Sequence, residues 1–165
     1  MSEIKLKQLN RLENKPYISI KDPISALTHF IGFVLAILLT PLLLSKAALY
    51  YNDPYTLAGL SIYCLSLILL YGASSAYHPF VLPQRPARVL KKLDHCSIFI
   101  LIAGTYTPIC LNVLDIKTGN TLLLLIWLTA LGGIILKLFW VYCPKYVSSI
   151  LYILMGWLAI FYLKQ

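Results

Sequence analysis

Residues 121–142 read TLLLLIWLTALGGIILKLFWVY, an apolar stretch whose only charged side chain, Lys137, stands near its end. As a helix rising about 1.5 Å per residue, it reaches across the roughly 30 Å hydrocarbon core of a bilayer. Backbone N–H and C=O groups in lipid must satisfy one another, so a stretch of this kind is read as a membrane-crossing α-helix. Working outward, four more stretches qualify, at about residues 24–44, 55–77, 93–114 and 146–163. Turn chemistry separates them: Asn52-Asp53-Pro54, the segment from Pro79 to Pro86, Lys117-Thr118-Gly119-Asn120, and Cys143-Pro144. The expected fold is an all-α, polytopic transmembrane bundle of five helices over residues 22–165, preceded by a polar, basic tail at residues 1–21.

Composition supports this class independently. Of 165 residues, 59% are hydrophobic and only 12% charged, and the mean hydropathy is +0.78. Soluble domains average about 25% charged residues, so one small aqueous core cannot hide this much apolar surface. The net charge of +8 does not mark a nucleic-acid binder, because the basic residues sit between apolar runs rather than along one soluble face. Eleven of the fourteen Lys and Arg residues fall on one side of the expected bundle. These are Lys5, Lys7, Arg11, Lys15 and Lys21 in the tail, Arg85, Arg88, Lys91 and Lys92 before the third helix, and Lys137 and Lys145 near the last turn. Only Lys46, Lys117 and Lys164 fall on the other. By the positive-inside rule the tail is cytosolic, and the expected location is the plasma membrane, as a multi-pass protein. The tail and the Arg85 to Lys92 cluster are also expected to attract anionic lipid headgroups.

Trp127, Trp140 and Trp157 read as interfacial anchors, and Gly104, Gly132, Gly133 and Gly156 as points of close helix approach. Cys64, Cys96, Cys110 and Cys143 read as buried, reduced thiols, since none forms a C-x-x-C pair.

Titratable groups at membrane depth are costly and so are the first candidates for function. His78 closes the second helix, with Ser74 one turn earlier on the same face, while Asp94 and His95 open the third. This brings an imidazole, a hydroxyl and a carboxylate to one depth, a set suited to a zinc ion whose bound water a carboxylate orients. Asp94, Ser97, Leu101, Gly104, Thr105 and Pro108 recur at helical spacing as a small, polar stripe facing the bundle. The plainer reading makes His78 a C-terminal cap and Asp94 an N-terminal one, and spacing alone leaves both readings open. His29 reads as a hydrogen-bonding strut ahead of a ligand or an interfacial residue. His95 lies about 100° around the helix from Asp94, which keeps the two from pointing squarely at one ion.

Taken together, Ser74-Ser75-Ala76-Tyr77-His78, the basic loop into Leu93-Asp94-His95, Gly104-Thr105-Tyr106-Thr107-Pro108, and residues 22–32 with Thr28-His29 resemble the bacterial haemolysin III proteins. These belong with the adiponectin and progestin receptor family of seven-helix membrane proteins. The resemblance runs from about Asp22 to the last residue. It implies a seven-helix bundle with a cytosolic N-terminus and a zinc site within the cytosolic leaflet. Residue by residue, it makes His78 a zinc ligand, places Ser74 in the ion's surroundings, and matches Asp94 to the aspartate that holds the zinc-bound water.

The family's other two ligands belong to a His-x-x-x-His motif near the seventh helix, and no such motif occurs among the three histidines of this sequence. The five helices thus correspond to the first five of the family fold, with weak or absent zinc binding and no hydrolysis expected. The resemblance further links the scaffold to zinc-dependent hydrolysis of lipid amides such as ceramides in eukaryotic members. It links the bacterial branch, by name, to lysis of red cells. Two other classes stand beside the hydrolase: a cytolytic, pore-forming protein, and a membrane receptor or sensor.

Overall fold

Pro23 and Pro54 each stand at the start of a helix, where a residue without an N–H loses no intrahelical bond. The computed structural model describes residues 20–162, within which the chain forms α1 (Pro23–Tyr50), α2 (Pro54–Tyr77), α3 (Gln84–Asn112), α4 (Ile116–Phe139) and α5 (Lys145–Trp157). α5 runs into a 3-10 turn, Leu158–Phe161. Lys5, Lys7, Arg11, Lys15 and Lys164 lie outside the described residues, as does most of the expected tail. Among the described residues there is no strand, and α1 to α4 are long and apolar enough to cross a membrane.

Several boundaries differ from the sequence reading: α1 runs on to Tyr50, and α4 begins at Ile116, capped by Asp115, so Lys117-Thr118-Gly119-Asn120 is helical rather than a turn. α3 begins at Gln84, so Arg85, Arg88, Lys91 and Lys92 are helical rather than looped. Pro86 does not prevent this because it occupies the first turn, where backbone N–H groups have no intrahelical partner. α5 is shorter than expected, with 13 α-helical residues before the ladder tightens. The Tyr106 phenol of α3 reaches this point, donating toward the Met155 and Gly156 carbonyls at 2.9 and 2.7 Å and accepting the Ala159 N–H at 3.0 Å.

α3 is the central helix. Half of its spanning window is buried, against 6% for α1. α2 and α4 flank it, α5 rests on α3 and α4, and α1 packs on α2. The core between α3, α4 and α5 is built from Phe99, Ala103, Tyr106, Leu122, Ile126, Ala130 and Met155. α4 closes on Phe99 through Gly133, where an added Cβ would enter the aromatic ring. Gly104 admits Ser66 of α2 in the same way, whereas Gly132 and Gly156 face open space and bring no helices together. Trp127 is no interfacial anchor, since it sits in mid-helix and donates from Nε1 to Thr107 Oγ1 at 3.2 Å. Thr105 of the expected inward stripe is exposed, with its hydroxyl turned back onto the Leu101 carbonyl. All four cysteines are buried and free.

At the end of the bundle away from the Arg85 to Lys92 cluster, the turns follow their residues. Asn52 adopts a left-handed φ of 43°, which asparagine tolerates well. Asp53 caps α2 by accepting the Thr56 N–H at 2.7 Å, and Asp115 caps α4 by accepting the Lys117 and Thr118 N–H groups at 3.1 Å. The backbone hydrogen bond from Thr56 holds the Asp53 carboxyl below its ordinary pKa, and hydrogen bonds from Thr118 do the same for Asp115.

Two outcomes are expected. Gly133→Ala lowers stability in detergent by about 1–3 kcal/mol through overpacking against Phe99, while Gly132→Ala changes little, as thermal unfolding of the two variants will show. Because both caps have lowered folded-state pKa values, their stabilisation is present above the ordinary carboxylate value of about 3.9 and is lost as pH falls through the folded values. An Asp53→Ala/Asp115→Ala double variant should therefore lose less thermal stability on acidification than the parent.

Candidate functional site

The basic end of the bundle carries a second group of turns, and the polar side chains gather there. α2 ends at Tyr77, and His78 follows as its C-cap, its N–H bonded to the Ser74 carbonyl at 3.1 Å. The chain entering α1 runs against this corner. Lys21 N–H donates to the Pro79 carbonyl at 3.2 Å and Asp22 N–H to the His78 carbonyl at 3.1 Å. Two helix ends are thereby clamped together by backbone, which places α1 side chains opposite those of α2.

Ser74 is the hub. It is 2% exposed, and His29 Nδ1 of α1 lies 2.5 Å from its hydroxyl oxygen. On its other flank Ser74 stands next to the Asp94 carboxylate of α3. A hydroxyl has one proton to give, and an ionised carboxylate only accepts. The consistent assignment has His29 Nδ1–H donating to Ser74, which leaves the Ser74 proton to turn toward Asp94. One serine thus joins three helices, and Asp94 is buried at 7% exposure with its charge answered.

His78 does not point at Ser74. Its Nδ1 faces Asp22 Oδ2 at 3.1 Å, while its ring stands edge-on to that of His29 with centroids 5.6 Å apart. Asp22 in turn lies 3.9 Å from Lys21 Nζ. His95 turns back along α3, so that its Nδ1 comes within 3.3 Å of Asp94 Oδ2. That approach is too oblique for a hydrogen bond and leaves Nδ1 a buried atom without a partner. The structure therefore brings Ser74, Asp94 and His29 into one network, sets His78 beside it against Asp22, and leaves His95 on its edge.

The arrangement can be tested against the zinc that the resemblance implies. A ligating histidine usually gives its second ring N–H to a carboxylate, and His78 with Asp22 has that form, leaving Nε2 free. A tetrahedral zinc site needs three protein donors or more. Among the described residues no group of three His, Cys, Asp or Glu side chains is placed to hold one metal ion. The residues present do not fit zinc as a complete site.

Asp22 was missed by sequence reasoning, since an acidic residue before proline reads simply as a helix start. Its partner His78 is 56 positions away, and His29 lies 45 positions from Ser74. Only its position near the start of an apolar helix, where a titratable side chain needs a partner, marked His29 beforehand.

A family model described as haemolysin-III related matches residues 17–165. A hemolysin-3 homolog of Bacillus subtilis (strain 168) is 38% identical over 147 residues, covering 88% of this chain and 68% of the relative. Hemolysin-3 of Bacillus cereus is 39% identical over 146 residues, covering 88% and 66%. The chain thus spans about two thirds of the length of each relative. No solved structure matches.

Removing the hub should be costly. Ser74→Ala strands both His29 Nδ1 and a buried carboxylate, with an expected loss of about 1–3 kcal/mol. Ser75→Ala removes a hydroxyl bonded only to the Gly72 carbonyl of its own helix and should be nearly silent. Denaturation of the two variants in detergent distinguishes them.

Proposed function

Because the chain belongs to the haemolysin-III related family and is accordingly a multi-pass membrane protein, we propose that its basic end faces the cytosol at the plasma membrane and carries part of a hydrolase site for lipid amides. The observation that supports this is the Ser74–Asp94–His29 cluster, a carboxylate buried in the outer turns of a spanning helix beside a serine that His29 of another helix hydrogen-bonds. Preorganised polar groups of this kind are expensive in lipid and mark functional sites. In this reading Asp94 orients and accepts protons, Ser74 fixes Asp94, and His78 is the one metal ligand these residues offer. The zinc in the resemblance would supply Lewis-acid activation of water. His78 is the single imidazole of this corner with a carboxylate behind it, so these residues supply part of such a site.

Anionic lipid is the expected neighbour of this site. A cavity of about 320 Å³ at the end of α2 is lined by Lys21, Tyr77, Phe80, Lys91 and Tyr142, among others. Lys21 Nζ lies 3.9 Å from the Tyr77 ring centroid and Lys91 Nζ 4.4 Å from that of Tyr142. Cations held over aromatic faces beside apolar walls suit an anionic headgroup with the start of its chains.

A second reading, membrane lysis, is favoured by the name of the Bacillus cereus relative. It requires a water-filled path, and the outward faces of α1 and α4 offer leucine, isoleucine and phenylalanine instead.

Metal analysis of the purified chain in detergent decides the metal question. The expected zinc content is well below one per chain, with Asp94→Ala and His78→Ala little different from the parent. Stoichiometric zinc lost in His78→Ala would overturn the incomplete-site reading. For the second reading, dye release from liposomes unaffected by His78→Ala would favour lysis over the hydrolase scaffold.

A further inference from the structure

Lys137, expected at the border of the membrane, is instead 1% exposed in the last turn of α4. Its Nζ donates to Cys143 Sγ at 3.0 Å and to Ser148 Oγ at 2.5 Å, and Cys143 and Ser148 are themselves 3.3 Å apart. The three side chains come from α4, the connecting turn and α5. They form a closed triangle separate from the Ser74–Asp94 network.

A buried ammonium needs a negative partner, because leaving it uncompensated in a low-dielectric interior is strongly unfavourable. Among the described residues no carboxylate pairs with Lys137. The one group in contact that can carry negative charge is the Cys143 thiol. Hydrogen-bond accounting leads to the same place. An ammonium only donates, so Ser148 accepts from Lys137 and has its own proton left for Cys143. Cys143 then accepts from both neighbours, which is the pattern of a thiolate.

The surrounding charges act in the same direction. Burial by itself raises the thiol pKa, but the hydrogen bonds from Lys137 and Ser148, with the charges of Lys137 and of Lys91 on α3, outweigh it and hold Cys143 below the ordinary thiol value. Cys96 on α3 shares the field of Lys137 and Lys92, and Tyr152 on α5 feels Cys143 and Asp94. Cys143 is 8% exposed, yet Trp140 and Tyr142 in the same short connection are more than half exposed, so the turn lies at the surface.

We propose that Cys143 is a modification site, a nucleophilic thiolate held by Lys137 and Ser148 that exchanges with low-molecular-weight disulfides. In the step, Cys143 Sγ attacks one sulfur of the small disulfide. The new S–S bond forms as the old one breaks, and the leaving sulfur departs with the electron pair as a thiolate. Cys143 is oxidised and half of the small disulfide is reduced, with no further co-reactant. Modification removes the counter-charge of Lys137, so the contact between α4 and α5 loosens when the site is thiolated.

The test is the rate of reaction of the whole protein in detergent with 4,4′-dithiodipyridine, with each cysteine identified by peptide mass. An ordinary thiol of pKa about 8.5 reacts roughly 25-fold faster at pH 9 than at pH 7. Cys143 is expected to change less than threefold over that interval, and at pH 7 to react at least tenfold faster than Cys64, Cys96 or Cys110. Lys137→Met should restore the ordinary pH dependence, and Lys137→Arg should keep the flat one. Should the methionine variant fail to fold, the parent profile decides alone. A parent rate that climbs like an ordinary thiol overturns the proposal, as does absence of reaction at Cys143 until the protein is denatured.

Discussion

A carboxylate inside a membrane-spanning helix cannot be left to lipid, and most of this bundle is arranged around that constraint. Asp94 stands three turns into α3, and α3 is the helix with the deepest burial. Ser74 answers the carboxylate from α2, and His29 answers Ser74 from α1. For α2 to come close enough, small residues must stand where the helices meet. Gly104 against Ser66 and Gly59 against Pro108 provide that approach. The same contacts hold three helices that have little other reason to choose one register, since leucine against leucine is hardly better than leucine against lipid.

The two ends of the bundle divide the polar work. One end uses two aspartates as helix caps and ties α2 to α3 through Thr56 and Asn112. The other gathers the histidines, the serine hub, the buried aspartate, and the lysines and arginines of α3. On that end the α1 entry is tied to the α2 exit through Asp22, His78 and two backbone hydrogen bonds. α1 is the least buried of the four spanning helices and packs on α2 through Gly32 against Tyr71 and Gly72 against Phe33, with this corner fixing its entry.

The long helices were legible in the sequence because bilayer thickness sets their length, and α1 to α4 lie where apolar runs placed them. Ser74, Asp94 and His78 were legible as titratable or polar groups near helix ends, and the structure does bring them to one corner. The start of α3 was obscured because prolines and charges resemble a loop, although a first turn accepts both. Trp127 and Lys137 were misread, and Asp22 missed, for a shared reason. Each takes its meaning from a partner on another helix or across a turn, Asp22 from His78, Trp127 from Thr107 and Lys137 from Cys143 and Ser148, and local pattern carries no trace of such pairings.

His29 and Asp94 never touch, and only Ser74 connects them. A double-mutant cycle on thermal or chemical unfolding in detergent, using His29→Ala, Asp94→Asn and the pair, measures that connection directly. Independent sites more than 7–10 Å apart usually add within about 0.3–0.5 kcal/mol, whereas members of one hydrogen-bond network couple by about 0.5–3 kcal/mol. Coupling of at least 1 kcal/mol is expected, and strict additivity would mean that the three helices are not held through this serine.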